Sequence, residues 1–270
     1  MSDNTESLGF FNPDGDALVP QDFARSPWGR ILHGRLVGGL AARAADAVLA
    51  QDPELTCGRI TVDMFRSSPL EPVVVTSRTI RSGRRIMVIE TTVEQNGEAI
   101  GQGKAVLLRR SEQPSGTLPP APTWHARPPV DIDEPRPGGP SGWRAPWDSW
   151  PVTPTEGTAG MRAGMWMRDY HPLVTGEPLT PLVRIGIAAD LVSPIGNSGS
   201  EGLGFINADY TIYLAREMRG ELVGIQPYGH LSDAGVAVAQ GIAHDLDGPF
   251  GFLATTAVAN SMARSKAELG

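Results

Sequence analysis

Two stretches of this chain are apolar on nearly every side, and each is followed by the same series of alternating and β-branched runs. The first stretch carries Leu36, Val37, Leu40, Ala41, Ala44 and Val48, interrupted by Arg35, Arg43 and Asp46. It predicts a buried helix over His33–Ala50. The second carries Leu182, Val183, Ile185, Ile187, Ala188, Ala189 and Leu191. Thr180 and Pro181 mark its start, as a capping hydroxyl and a first-turn proline. Pro194 and Gly196 mark its end, which predicts a helix over Pro181–Val192. Gly38-Gly39 costs about 1 kcal/mol per glycine against alanine inside a helix, so a close neighbour, expected to be a wrapping sheet, must pack there.

Strands are predicted after the first helix at Ile60–Arg66, Val73–Ile80, Arg85–Val93 and Ala99–Leu108. After the second they are predicted at Phe205–Leu214, Glu221–Tyr228, Val236–His244 and Phe250–Val258. Asn96-Gly97 and Asp247-Gly248 stand at matching places as tight hairpin signals. Short connections make the neighbours antiparallel. The chain thus reads as a duplicated helix-plus-sheet unit, with a site expected between the copies.

Other segments are less regular. Residues 1–15 read as loose, Ala17–Ser26 as an irregular first strand, and Met161–Val174 as a strand leading into the second unit. Ser111–Thr155 holds twelve of the 24 prolines together with Trp124, Trp143, Trp147 and Trp150. Proline density argues against regular structure there, and the tryptophans argue for packing along the surface. The expected division is a first unit over 16–110, a Pro/Trp-rich connection over 111–158 and a second unit over 159–262.

Composition removes several classes of function. A net charge of −7 argues against a nucleic-acid partner. No apolar run reaches the length of a membrane span, and the polar amino terminus shows no signal peptide, which makes the cytoplasm the expected location. Cys57 is the one cysteine, so no internal disulfide is expected, and packing is its expected role. The five histidines show no metal spacing, Gly196-Asn-Ser-Gly-Ser fails the nucleophile-elbow spacing, and no phosphate loop follows a strand. Neither a metal nor a cofactor is expected.

A long buried helix wrapped by a five-stranded antiparallel sheet is the hotdog fold, and the wording of the chain adds a resemblance. The run Ala24-Arg-Ser-Pro-Trp-Gly-Arg-Ile-Leu-His-Gly-Arg-Leu-Val-Gly-Gly resembles the helix start of acyl-CoA thioesterase-like double-hotdog proteins, relatives of bacterial thioesterase II. Trp166-Met-Arg, Gly176-Glu-Pro-Leu-Thr-Pro-Leu, Ala188-Ala-Asp, Phe205–Tyr213 and Arg219–Ile225 resemble the second half of that family. The fold implied is α+β, a double hotdog with two long buried helices. The activity implied is thioester hydrolysis by water attack between the units, on acyl-CoA or a related thioester. A non-catalytic acyl or acyl-CoA binding protein is the alternative, and a homo-oligomer is left open. A hotdog hydratase is disfavoured: its aspartate would precede a histidine by five, and Asp14, Asp16 and Asp22 precede Val19, Gln21 and Pro27.

Strand alternation puts Asn207, Asp209, Thr211 and Tyr213 on one face and Ile206, Ala208, Tyr210 and Ile212 on the other. A carboxylate between Asn and Thr can orient a water. The resemblance implies a water-activating Asp–Thr–Gln group, with Asp209 as the acid, Thr255 at the glutamine position and Tyr228 near the threonine position. Gln226 joins Tyr228 if Pro227 does not break the alternation. His33 and Gly34 stand at a helix start, where amides and the dipole favour a developing oxyanion. Arg35 follows where the family often has a second glycine, and either a narrower pocket or a contact with a CoA phosphate is expected of it. Asp190, an acid in an apolar helix, is weighed as structural more than functional. The repeat alignment sets Arg59 in the place of Asp209 and leaves the first copy catalytically degenerate.

Overall fold

The computed structural model describes residues 8–129, 145–152 and 163–260. Trp143 and the start of the Met161–Val174 strand lie outside the described residues.

The elements run β1 (Phe11–Asp14), β2 (Ala17–Pro20), α1 (Arg35–Leu49), β3 (Leu55–Met64), β4 (Val73–Ser82), β5 (Ile86–Gln95) and β6 (Glu98–Arg109). There follow β7 (Trp147–Pro151), β8 (Met165–Asp169), α2 (Pro181–Ala188), α3 (Val192–Gly196), β9 (Ser198–Gly199) and β10 (Gly202–Leu203). The chain closes with β11 (Phe205–Asn207), β12 (Asp209–Leu214), β13 (Val223–Asp233), β14 (Val236–Asp245) and β15 (Gly248–Ala259). Thirteen strands form one sheet in the order β1-β2-β4-β5-β6-β3-β12-β15-β14-β13-β8-β7, with β11 beside β15. The sheet is therefore continuous across both halves. They meet where β3 and β12 pair antiparallel from Asp209↔Asp63 to Tyr213↔Arg59.

α1 lies along β3, β5 and β6, α3 lies along β13 to β15, and α2 packs chiefly on α1. The buried side of α1 includes Leu36, Val37, Leu40, Ala41, Ala42 and Ala45. Gly101 and Gly103 of β6 admit Val37 and Ala41 so closely that a Cβ on either glycine would overlap them. The closest neighbour of Gly38 is not the sheet alone, as expected, but also the second helix. A Cβ at Gly38 would overlap the Tyr210 hydroxyl and stand 2.6 Å from the Gly186 carbonyl oxygen. A Cβ at Gly186 would stand 2.7 Å from Ala42 Cβ. The helices cross backbone to backbone at this point.

Four expectations need correction. The second helix is not one long helix: α2 ends at Ala188, Ala189–Leu191 is a 3-10 turn, and α3 follows. Pro194 does not end it, because it sits in the first turn of α3, where a missing N–H is tolerated. Residues 1–15 are not all loose: β1 forms a hairpin with β2 around Gly15 (φ +59°), anchored by fully buried Phe10 and Phe11. The Pro/Trp-rich connection contains a strand, since β7 pairs with β8 at the sheet edge, a place that proline permits. Earlier in it, Trp124 stacks on Trp166 with centroids 5.2 Å apart, so this part of the connection does pack on the second half.

Gly38→Ala is expected to destabilise the protein by about 1–3 kcal/mol or more, the scale of overpacking. Urea denaturation of the variant against the parent measures this; equal midpoints would mean that the crossing is looser than described.

Candidate functional site

A cavity of about 210 Å³ opens where the start of α1, the 3-10 turn after α2 and β11 converge. Its polar wall includes His33, Gly34, Asp190 and Asn207, with Ser26, Arg66, Ser67 and Ser68 beside them; its apolar wall includes Leu32, Val37, Met64 and Ile100. Each polar residue has a local cause. Gly34 caps α1 and faces Met64, whose sulfur would stand 2.7 Å from a Cβ at this position. His33 is held by its amide, which donates to the Ala24 carbonyl, and the Arg35 amide lies 3.4 Å from its Nδ1. Asp190 sits in the 3-10 turn that breaks the second helix.

Asn207 reaches the cavity through a β-bulge. The four steps from Asn207 to Thr211 face three on β15, from Ala257 to Ala254. The extra residue turns Asn207 to the helix side, where its Nδ2 donates to Asp190 Oδ1 at 2.8 Å. Tyr210 faces the same side, its hydroxyl donating to the Gly186 carbonyl at 3.1 Å. The expected common face of Asn207 and Asp209 is therefore broken.

The electrostatics of this wall are those of a low-dielectric site. Burial pushes the Asp190 carboxyl above its usual range, against the Asn207 hydrogen bond and the nearby Arg35 charge. Burial, with Arg35 adding, pushes His33 down to about 3, so its ring is neutral at physiological pH. With Nδ1 accepting the Arg35 amide, Nε2 carries the proton. Asp190 Oδ2 lies 3.9 Å from His33 Nδ1. The pair is a buried carboxyl group beside a neutral imidazole.

The residues singled out in the sequence are dispersed by the fold. His33 and Gly34 share the cavity. Asp209 lies outside its lining; its carboxylate accepts from the Thr256 amide at 2.9 Å and the Thr256 hydroxyl at 2.5 Å. Thr255 is buried, and its hydroxyl donates to the main-chain oxygen of Asp209, not to the carboxylate. Gln226 bonds His244 Nε2 through Oε1 at 2.9 Å. Tyr228 is the unpaired residue of the irregularity between Pro227 and Gly229; it is exposed and lies beside Ile195 and His230 in a separate small cavity. The expected Gln226–Tyr228 pairing is broken by that irregularity.

Arg35 cannot meet a CoA phosphate. It is fully buried, its Nη2 lies 2.5 and 2.6 Å from the two oxygens of Asp169, and its guanidinium stacks 4.1 Å over the Trp147 ring. Asp190 and Asn207 line this cavity, although the sequence reading weighed Asp190 as structural and placed Asn207 on the face of Asp209. The signal for Asp190 was present, as an acid in an apolar helix just before Pro194. Asn207 had none, because a bulge is not written in alternation.

The architecture belongs to the α+β class, and its likeness to solved structures is that of the hotdog fold. A protein of unknown function with a hotdog fold from Alicyclobacillus acidocaldarius aligns over 96% of this chain and 97% of its own, at TM-score 0.67 and 19% identity. Acyl-CoA thioesterase II TesB2 from Mycobacterium marinum aligns over 84% of this chain and 90% of its own, at TM-score 0.59 and 21% identity. The tesB protein of Mycobacterium avium subspecies paratuberculosis aligns over 94% and 95%, at TM-score 0.63 and 12% identity. The family model of the acyl-CoA thioesterase N-terminal domain matches residues 24–108. No curated protein sequence matches the chain. The sequence likeness to the acyl-CoA thioesterase N-terminal domain is thus confined to residues 24–108, and the likeness to the solved structures is one of fold.

Two consequences are measurable. Arg35→Met leaves the buried Asp169 charge without its partner, and a loss of about 3–5 kcal/mol is expected in urea denaturation; a loss under about 1 kcal/mol would make the pair dispensable. His33 has a folded pKa below its unfolded value of about 6.5, so the unfolded chain binds more protons between them and stability rises with pH in that window. Relative to His33→Gln, the parent should lose about 2 kcal/mol on going from pH 7 to pH 5, at about 1.4 kcal/mol per unit. Parallel pH profiles would exclude a buried neutral His33.

Proposed function

We propose that the protein is an acyl-CoA thioesterase built from two hotdog units, and that its hydrolytic centre is the cavity of Asp190, Asn207, His33 and Gly34. The observation that carries this reading is the buried Asp190 carboxylate. It is fixed by Asn207 through one oxygen, with its other oxygen turned toward His33. The match of residues 24–108 to the acyl-CoA thioesterase N-terminal domain supplies the reaction class.

In this reading the acyl chain lies along Leu32, Val37, Met64 and Ile100, which places the thioester carbon at the polar wall. A water donates to Asp190 Oδ2 and attacks the carbon as the carboxylate takes its proton. A raised pKa makes Asp190 a stronger base than an exposed aspartate. The developing oxyanion is met by the N–H of neutral His33 and by the dipole at the start of α1. Collapse expels the thiolate, and Asp190 returns the proton to it.

Among the described residues no helix is long and apolar enough to cross a membrane. A cytoplasmic place in fatty-acid metabolism is part of the proposal, in keeping with a single, free thiol.

Thiol release from acyl-CoA of graded chain length tests the reading. Asp190→Asn should lower turnover by about 10²-fold or more, the scale of a lost general base, while acyl-CoA binding persists. Asp209→Asn should leave turnover nearly unchanged. The reverse pattern would move the base to Asp209, and binding without thiol release in the parent would make the protein an acyl-CoA binder.

A further inference from the structure

A second cavity, of about 190 Å³, lies at the opposite end of the helix pair. It is assembled from the counterparts of the elements that build the first. The candidate site takes the start of α1, the end of the second helix and Asn207 beside a bulge. The second cavity takes the start of α2 at Pro181 and Leu182, the end of α1 at Asp46 and Leu49, and Cys57 of β3. Cys57 stands next to the register shift between Cys57 and Arg59 in the β3–β6 ladder. It holds the place that Asn207 holds before Ala208. Each cavity also has an acid gripped by a side-chain donor: Asn207 on Asp190 in one, the Thr180 hydroxyl on Asp46 in the other.

The second copy lacks the means for the same chemistry. Pro181 stands at the helix start where the first cavity has His33 and Gly34, and a proline offers no N–H. Burial pushes the Cys57 thiol up to about 12, which leaves it protonated and inert. What remains is an apolar floor of Leu49, Leu55, Leu182, Ile185, Leu214 and Met218. Its charged groups are Asp46, Glu217 and Arg110, two acids against one base. Arg110 and Glu217 are both exposed, whereas Asp46 is partly buried; burial raises the Asp46 carboxyl pKa against the Thr180 hydrogen bond, and the Glu217 charge adds to the rise.

We propose that this cavity is a second, non-hydrolytic binding site, which takes a short alkyl chain bearing a cationic amine head. The apolar floor holds the chain and Asp46 with Glu217 receives the ammonium; a fatty acid of the same length is turned away by the same carboxylates. An apolar protein cavity of about 150 Å³ takes a six-carbon ring, so a hexyl chain is of the size that this one admits. This assignment stands apart from the thioesterase reading.

Met218 lines this cavity and Met64 the candidate site, so methionine-methyl NMR reports each separately. Titration of the full-length protein with hexylammonium should shift the Met218 methyl saturably and leave Met64 in place, and hexanoate should not move Met218. Asp46→Asn keeps volume and removes charge, and should weaken hexylammonium binding by about tenfold or more. Cys57→Phe should fill the cavity and abolish the Met218 shift; if that variant does not fold, Asp46→Asn alone decides. A Met218 resonance unmoved by hexylammonium, an equal response to hexanoate, or unchanged affinity in Asp46→Asn would each overturn the proposal.

Discussion

Everything in this fold depends on two helices being allowed to touch at their backbones. Gly38 and Gly186 remove the side chains that would hold α1 and α2 apart, and the Tyr210 hydroxyl takes the space left beside Gly38. Its hydrogen bond to the Gly186 carbonyl satisfies a phenol that is wholly out of water. Tyr210 belongs to β12, the strand that joins the halves, so one side chain ties both helices to the seam of the sheet. With the crossing fixed, the two ends of the helix pair are fixed as well. Each end becomes a recess bounded by one helix start and one helix end.

Buried charge then orients what the crossing positions. Arg35 at the start of α1 reaches Asp169 on β8, and the Arg184 guanidinium of α2 donates to the main-chain oxygen of Asp169. Trp147 of β7 covers the Arg35 guanidinium. Four elements are tied around one buried ion pair. Such a pair costs desolvation that its attraction only partly offsets, and burial raises the Asp169 carboxyl in spite of the two arginines. The return is geometric and electrostatic. Arg35 anchors the turn that carries His33, and its charge helps keep that imidazole neutral. An arginine in place of a second glycine is thus a structural anchor of the site and not a contact for substrate.

The duplicated order of helix and strands was legible because apolar periodicity survives burial: α1 and the strands from β3 to β6 and from β12 to β15 lie within a few residues of the apolar runs. The hairpin of β1 and β2 was hidden by polar neighbours, although Phe10 and Phe11 are its anchors. β7 was hidden because proline was weighed as a breaker, which holds for central strands and not for edges. The site was half legible. His33 and Gly34 stand out as a helix start, and Asp190 as an acid among apolar residues. Alternation, however, assigned Asn207 to the face of Asp209, and one extra residue in the ladder reverses that. A period-two argument has no means of seeing a bulge, and here the bulge decides which polar side chain meets the helix.

That reversal explains why the halves differ chemically while sharing a plan. Both central strands have a register irregularity at the same relative place, so both halves aim a residue beside it at a helix end. In one half that residue is Asn207, which fixes a carboxylate next to a neutral imidazole. In the other it is Cys57, next to an acid held by the capping hydroxyl of Thr180. The backbone therefore offers two equivalent recesses, and the chemistry of each is set by three side chains: the one at the helix start, the one at the helix end and the one beside the bulge. With proline in place of a histidine–glycine pair and a thiol in place of an amide, the second recess keeps its shape and its acid. It has no counterpart of the neutral imidazole, and an apolar recess with one partly buried acid is what this leaves.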